Sequence, residues 1–469
     1  MIFNTLKKDK NKLEETLAVF SPAESRFFSA YLGNALFNQR EDVRKLYQWC
    51  VQNELSERAA AYAAVYPDTP FDAQKLRLLQ SRLQKLAEQF LSLRQWLETP
   101  AARDFQLLRA LRHRGLETQF PDALQSLKNS LEAQPLRNSD YYLSLGEALW
   151  EEARFETLRQ PSATIYLARL SENADLLWLT QKLRYMCLVR AQQLVYKTTH
   201  EMRFREEIEA MVQRYDLLEV PAIGIWYYCL YMLEDNENQA YFIRFKSLLL
   251  AHDNAFNADE IRDLYLFAVN YCIRKVNLGQ RSFQYDMMDF YKNGLQKGFL
   301  LENGQLSRFT FHNIVGAGIQ TKEYAWVENF INQYKNNIPR SHRESTYKFS
   351  LARLGYAQKQ YEEILPLLQN SNYYDPLIAL AAKALALKVY YETGEYNLLE
   401  SHLEAMKIYI RRKSSVGYHG TYYLNLVKFT QKLIQTNPNK RNARIELKQK
   451  ILAEKALADR DWLLEQLSA

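Results

Sequence analysis

Gln360-Tyr361-Glu362-Glu363-Ile364 has two partial counterparts in the chain, Glu323-Tyr324 before it and Gly394-Glu395-Tyr396 after it. Each tyrosine ends a short polar turn and opens a segment with helical apolar spacing, and the three tyrosines are 37 and 35 residues apart. Pro339 lies 15 residues after Tyr324, and Pro376 lies 15 residues after Tyr361, in a chain with only 12 prolines. Matched landmarks at matched offsets imply an internal repeat with two helices per unit.

A period near 35 with this grammar resembles the tetratricopeptide repeat. The resemblance is carried by Leu351-Ala352 in a first helix, by Gln360-Tyr361 opening the second, and by Asp375-Pro376 closing the unit. The next unit repeats it with Tyr390, Gly394-Glu395-Tyr396 and Leu399, and the preceding one offers Gly318, Glu323-Tyr324, Val327 and Pro339. The family's pattern implies a tyrosine packed at the start of each second helix, small residues at close helix approaches, and a proline that stops the second helix. Val327, Ile364 and Leu399 depart from it, standing where the family prefers alanine, and Pro366 falls within the first turns of a second helix. The match covers about residues 305 to 412. Upstream, Tyr142, Leu145, Gly146 and Leu149 echo it faintly.

Composition extends the helical reading to the whole chain. The 469 residues include 14 Gly and 12 Pro, under 6% together against an average near 12%. No glycine falls between Gly33 and Gly115 or between Gly146 and Gly224, which argues against folds that spend glycine on tight turns. Leu76, Leu79, Leu83, Leu86, Phe90, Leu93 and Leu97 form a heptad seam, which serves either within one chain or between two. Thr69-Pro70-Phe71-Asp72 reads as its start, with Thr69 as N-cap and Asp72 at N3. Ser21-Pro22-Ala23-Glu24 is a capping box, and Thr99-Pro100 and Asn437-Pro438 look like further starts. The expected fold is all-α, a right-handed α-solenoid of stacked antiparallel helix pairs with more than twenty helices and little or no sheet. Four regions are expected: an N-terminal helical region 1–135 containing the long helix 70–97, a degenerate helical-repeat region 136–304, tetratricopeptide-like repeats 305–436, and basic capping helices 437–469.

Signals for chemistry are looked for in vain. The chain has no GxxxxGK[ST] loop, no GxSxG elbow and no zincin pair of histidines; Gly316-Ala317-Gly318 lacks the third glycine of a dinucleotide fingerprint. Cys50, Cys187, Cys229 and Cys272 form no CxxC pair and read as buried small residues in a reducing compartment. Glu151-Glu152 and Glu206-Glu207-Glu209, beside Arg154, Arg203 and Arg205, read as solvated helix faces. No enzyme, cofactor or metal is expected. The first twelve residues carry no apolar core of a signal peptide, and Pro221 to Leu233, the longest apolar run, is shorter than the roughly 20 residues a membrane helix needs. A cytoplasmic location is expected.

Partner binding is the remaining expectation. Residues 1–400 hold 48 basic and 48 acidic side chains, whereas Ser401 to Ala469 hold 13 against 6, so the body is neutral and the tail basic. The tetratricopeptide resemblance puts first helices on an inner groove, where Arg353 and Lys388 share an inward position three residues before Tyr356 and Tyr391. A cation beside an aromatic, presented twice, suits an acidic or C-terminal peptide segment, and Phe309 and His312 would continue the groove one unit earlier. The alternative is nucleic acid on the tail, through Arg411, Arg412, Lys413, Lys428 and Lys432 with Lys440, Arg441 and Arg444. Cations complementing a helix C-terminus account for the same residues without a ligand. Ile445 to Leu467 reads as a pair of capping helices.

Overall fold

The computed structural model describes residues 12–53, 57–98, 100–160, 165–196, 198–235, 237–369, 373, 375–412, 417, 419–436 and 441–468. The protein is all-helical: about 80% of it is helix, in 23 α-helices with no strand among the described residues. It divides into two compact units, Met1–Pro135 with Ser139–Trp178, and Leu136–Asn138 with Leu179–Ala469.

The first unit holds α1 (Lys12–Ala18), α2 (Pro22–Gly33), α3 (Glu41–Gln52), α4 (Arg58–Val65), α5 (Ala73–Leu97), α6 (Pro100–His113), α7 (Phe120–Ala133), α8 (Ser139–Arg159) and the first part of α9 (Ile165–Tyr196). Its spine is α5, against which α1, α2, α3 and α4 pack. The heptad seam works inside the chain: Leu76, Leu79, Leu83, Leu86 and Phe90 are buried in one core with Phe28, Leu46 and Tyr62. Leu93 is half-buried and Leu97 exposed, so the seam ends where the covering helices end. The start of α5 differs from the expected one. Asp72, not Thr69, is the N-cap, its carboxylate accepting from the amides of Gln74 at 2.8 Å and Lys75 at 2.9 Å. Thr69 instead bonds the Tyr66 carbonyl at 3.2 Å, and the helix runs 25 residues. A carboxylate immediately before the run of helix formers outcompetes a more distant hydroxyl. At α2 the capping box forms as read, Ser21 N–H donating to the Glu24 carboxylate at 2.7 Å and Glu24 N–H to the Ser21 hydroxyl at 3.2 Å. Thr99, Asn437 and Pro438 lie outside the described residues.

Glu151 corrects the expectation of a solvated carboxylate face. It is 2% exposed and takes Arg112 Nε at 2.7 Å and Arg109 Nε at 3.4 Å, while Glu152 meets Lys128 at 2.6 Å. Its partners sit about forty residues earlier, on α6, and Arg154 has no part in the pairing. Glu206 and Glu207 are exposed as expected, and Glu209 is half-buried.

The second unit holds the rest of α9, then α10 (Arg205–Arg214), α11 (Pro221–Glu234), α12 (Gln239–Ala251), α13 (Ala258–Asn277), α14 (Phe283–Gln296), α15 (Arg308–Gln320), α16 (Tyr324–Tyr334), α17 (Arg340–Ala357), α18 (Tyr361–Gln369), α19 (Pro376–Glu392), α20 (Tyr396–Arg412), α21 (His419–Gln435), α22 (Arg441–Ala453) and α23 (Arg460–Ser468). Leu136–Asn138 joins it because Arg137 N–H donates to the Ala255 carbonyl at 2.9 Å and the Asn138 amide to the buried Glu260 carboxylate at 2.5 Å.

Tyr324, Tyr361 and Tyr396 are the first residues of α16, α18 and α20. The turn before each is the same. Lys322, Lys359 and Gly394 adopt left-handed φ of 62°, 61° and 76°, two residues ahead of the tyrosine. The next amide, of Glu323, Gln360 or Glu395, donates back to the carbonyl of Gly318, Gly355 or Tyr390, in each case at 2.9 Å. Such six-to-one closures satisfy carbonyls orphaned at a helix end and reverse the chain within three residues. Gly279, at φ 90°, with Gln280 N–H donating to the Lys275 carbonyl at 3.0 Å, makes an equivalent turn between α13 and α14, upstream of the residues that showed the period. Three residues after each tyrosine, Val327, Ile364 and Leu399 are fully buried. At Val327 the bulk is accommodated from the facing helix, since a Cβ on Gly318 would stand 2.3 Å from Val327 Cγ2; at Ile364 a Cβ on Gly355 would stand at an ordinary 3.5 Å from Cγ1.

The prolines act differently from the expectation. Pro339 immediately precedes α17 and Pro376 is the first residue of α19, so each opens the next helix. A fixed φ and a missing N–H suit the first turn of a helix. Pro366 lies inside the nine-residue α18. At the C-terminal end Leu447, Ile451, Leu457, Trp462, Leu463 and Leu467 join the core shared with α17–α21, so α22 and α23 close its apolar face.

Candidate functional site

Helices joined by such tight turns double back, so every second one can face the same side. Alternate helices α13, α15, α17, α19 and α21 do line one cavity of about 690 Å³, with Met287 of α14 and Asp459 just ahead of α23. Four of the six residues nominated from sequence meet in it: His312, Arg353, Tyr356 and Lys388. Phe309 does not reach the cavity; it is exposed, with the Arg308 guanidinium 4.7 Å from its ring centroid. Tyr391 also lies off it, half-buried, its ring centroid 5.4 Å from that of Trp462.

Gly316, Arg353 and Lys388 occupy one position of the repeat, separated by the same 37 and 35 residues as the tyrosines. The glycine explains where the arginine goes. Arg353 lies over Gly316, where a Cβ would stand 2.8 Å from its Nη2, and its Nη1 donates to the His312 carbonyl at 2.9 Å. No carboxylate pairs with it among the described residues, and burial lowers its pKa to about 10, which leaves it charged at neutral pH.

Lys388 is a different case. The expectation is a cation beside an aromatic presented twice to a partner, but Lys388 forms an ion pair with Asp459, 71 residues away, and stands 5.6 Å from the Tyr356 ring centroid. The same C-terminal segment reaches further. Trp462 Nε1 donates to the Glu392 carboxylate at 2.7 Å, and Glu392 also accepts from the hydroxyls of Tyr356 and Tyr361. The chain's own C-terminal segment therefore meets Lys388 and Tyr391 with an acid, Asp459, and an aromatic, Trp462.

His312 is 8% exposed, and neither ring nitrogen has a hydrogen-bond partner among the described residues. Burial, reinforced by Arg353 and Arg308, pushes its pKa down to about 3, so the ring is neutral at ordinary pH. Its ring centroid lies 5.5 Å from Phe349, which shares the cavity wall. Arg308 itself is committed, to Asp375 at 2.9 Å and to the His342 ring.

Arg411 and Arg412 are exposed at the C-terminal end of α20, where cations complement the helix dipole. Lys428 and Lys432 on α21 flank the Phe429 ring at 6.0 and 5.6 Å. Arg444 donates to the Leu467 carbonyl, and Lys413 and Lys440 lie outside the described residues. A second cavity, of about 810 Å³, lies among α16, α17 and α18 and is lined by Glu328, Lys348, Gln360 and Glu363. Lys348 there is paired with Glu344 at 2.6 Å. Gly316, considered in the sequence only as part of an incomplete dinucleotide fingerprint, and Asp459 were not expected on this face. The 37-residue offset from Arg353 identifies the first, whereas nothing local marks the second.

Among the described residues no group of three or more His, Cys, Asp or Glu side chains is arranged to hold a metal ion, and no helix is long and apolar enough to cross a membrane. Set against protein-family models, curated proteins and solved structures, the chain matches none.

Proposed function

We propose that the second unit is a tetratricopeptide-like α-solenoid segment and that the protein is a non-enzymatic scaffold or sensor, binding a protein or peptide partner on the face built by α13, α15, α17, α19 and α21. The partner presents an acidic side chain to Arg353. The observation that carries this reading is the contrast between two equivalent cations: Lys388 is met by Asp459, and Arg353 by no acid among the described residues. A half-buried guanidinium without a counter-charge is incompletely solvated, and a partner that supplies an acid meets it. The repeated turns before Tyr324, Tyr361 and Tyr396 support the repeat architecture, because equal turns give equal helix pairs.

Selection from a random peptide display library on the full-length protein tests it. Wild-type protein enriches peptides with a shared acidic position, and Arg353→Glu loses them while its far-UV circular dichroism is unchanged. Equal enrichment on both proteins contradicts the site. Lys388→Glu does not test the site, since it breaks the ion pair with Asp459. Salt-sensitive retention of RNA or DNA that disappears in Arg411→Glu/Arg412→Glu would favour the basic helices instead.

A further inference from the structure

We propose that the floor of the 690 Å³ cavity is a carboxylate site for a small organic acid, with Arg353 and His312 taking the carboxylate and the apolar wall taking a hydrocarbon body. The proposal rests on the reading of this face as the binding face and names a second class of ligand for it.

Three independent features converge there. Arg353 has its Nη1 committed to the His312 carbonyl, while Nη2 is held beside Gly316 with no acid to receive it among the described residues. The His312 ring is nine-tenths buried with both nitrogens unmatched, and a neutral imidazole always carries one N–H to give. Burying such a donor unmet costs free energy that a ligand oxygen returns. Ile273, Val276, Met287, Phe349, Ile378 and Leu385 then supply an apolar wall around a few polar groups, and the volume falls in the roughly 300–1,000 Å³ of small-molecule sites.

Charge sets the class of acid. Asp459 also lines the cavity and already neutralises Lys388, so one net positive charge remains and a monoanion matches it. A phosphate dianion would bring excess negative charge beside Asp459. Towards α23 the ion pair of Lys388 with Asp459 bounds the site at that end. An acidic side chain of a peptide partner would compete for the same guanidinium, so the small acid regulates partner binding.

Isothermal titration of the full-length protein with octanoate, 4-phenylbutanoate and benzoate, each beside its neutral amide, and with inorganic phosphate, tests the proposal. At least one acid binds saturably to one site per chain, its amide binds about tenfold or more weakly, and phosphate does not saturate. Arg353→Met loses the acid while its far-UV circular dichroism is unchanged, because the half-buried side chain makes no ion pair among the described residues. His312→Phe also weakens the acid while keeping the guanidinium. No saturable acid, equal binding of acid and amide, or undiminished binding by Arg353→Met overturns the proposal. If the acids fail while Arg353-dependent peptide selection succeeds, this inference falls and the partner-binding reading stands; if both fail, both fall.

Discussion

His312 gives the fold a pH dependence whose size follows from its surroundings. An exposed imidazole titrates near 6.5, whereas burial between Phe349 and the cavity, with Arg353 and Arg308 nearby and only Asp375 opposing them, lowers the folded value to about 3. Between these values the unfolded chain binds a proton that the folded chain refuses. Stability from this group is therefore complete above pH 6.5 and is lost as pH falls toward 3. At pH 5 the loss relative to pH 7 is about 2 kcal/mol, from about 1.4 kcal/mol per pH unit below the unfolded value. Other groups titrate in the same range, so the perturbation is His312→Leu, which keeps the volume and removes the proton site. Urea denaturation of both proteins at pH 7, 6 and 5, followed by circular dichroism and tryptophan fluorescence, yields the difference in slope. Wild type should lose about 2 kcal/mol more than the variant between pH 7 and pH 5. Equal losses, within about 0.5 kcal/mol, would show that His312 accepts a proton in the folded state and that its surroundings are wetter than described.

Two further outcomes follow from packing. Glu151→Ala leaves Arg112 charged at 8% exposure without its partner and should cost about 3–5 kcal/mol in thermal or chemical denaturation, whereas Glu151→Leu combined with Arg112→Met should recover most of it. A single-variant cost under about 1 kcal/mol would contradict a buried pair. Gly318→Ala drives a methyl into Val327 and should cost about 1–3 kcal/mol, while Gly355→Ala, with ordinary clearance from Ile364, should be neutral or stabilise by up to about 1 kcal/mol through helix propensity. Equal effects at the two glycines would contradict the helix approach seen at α15 and α16.

What was legible in the sequence was local. Tyr324, Tyr361 and Tyr396 mark helix starts because the turn before each is closed by a backbone bond between residues five apart, so a window of a few residues suffices to specify it. The heptad of α5 likewise announced its buried face. Long-range pairing was not legible. Asp459 reaches Lys388 across 71 residues, and Arg109 and Arg112 reach Glu151 across about forty; no periodicity links them. Lys388 thus read as presented to a partner and Glu151 as solvated, because a charge's partner is a property of the assembled helices. The start of α5 was misjudged for a smaller reason, since Thr69 and Asp72 satisfy the same capping grammar three residues apart and geometry favours the nearer carboxylate. Arg353 was legible in position but not in environment: its repeat offset placed it on the groove, while only the packing over Gly316 reveals a guanidinium held in place and left without a counter-ion among the described residues.

The most direct measurement is a crystal structure of the full-length protein with an acidic peptide taken from the display selection. The account predicts a peptide carboxylate within hydrogen-bond distance of Arg353 Nη2, on the face formed by α13, α15, α17 and α19, with the ion pair of Lys388 and Asp459 intact. A peptide seated in the cavity among α16, α17 and α18, or along the basic helices α20 to α22, would contradict it.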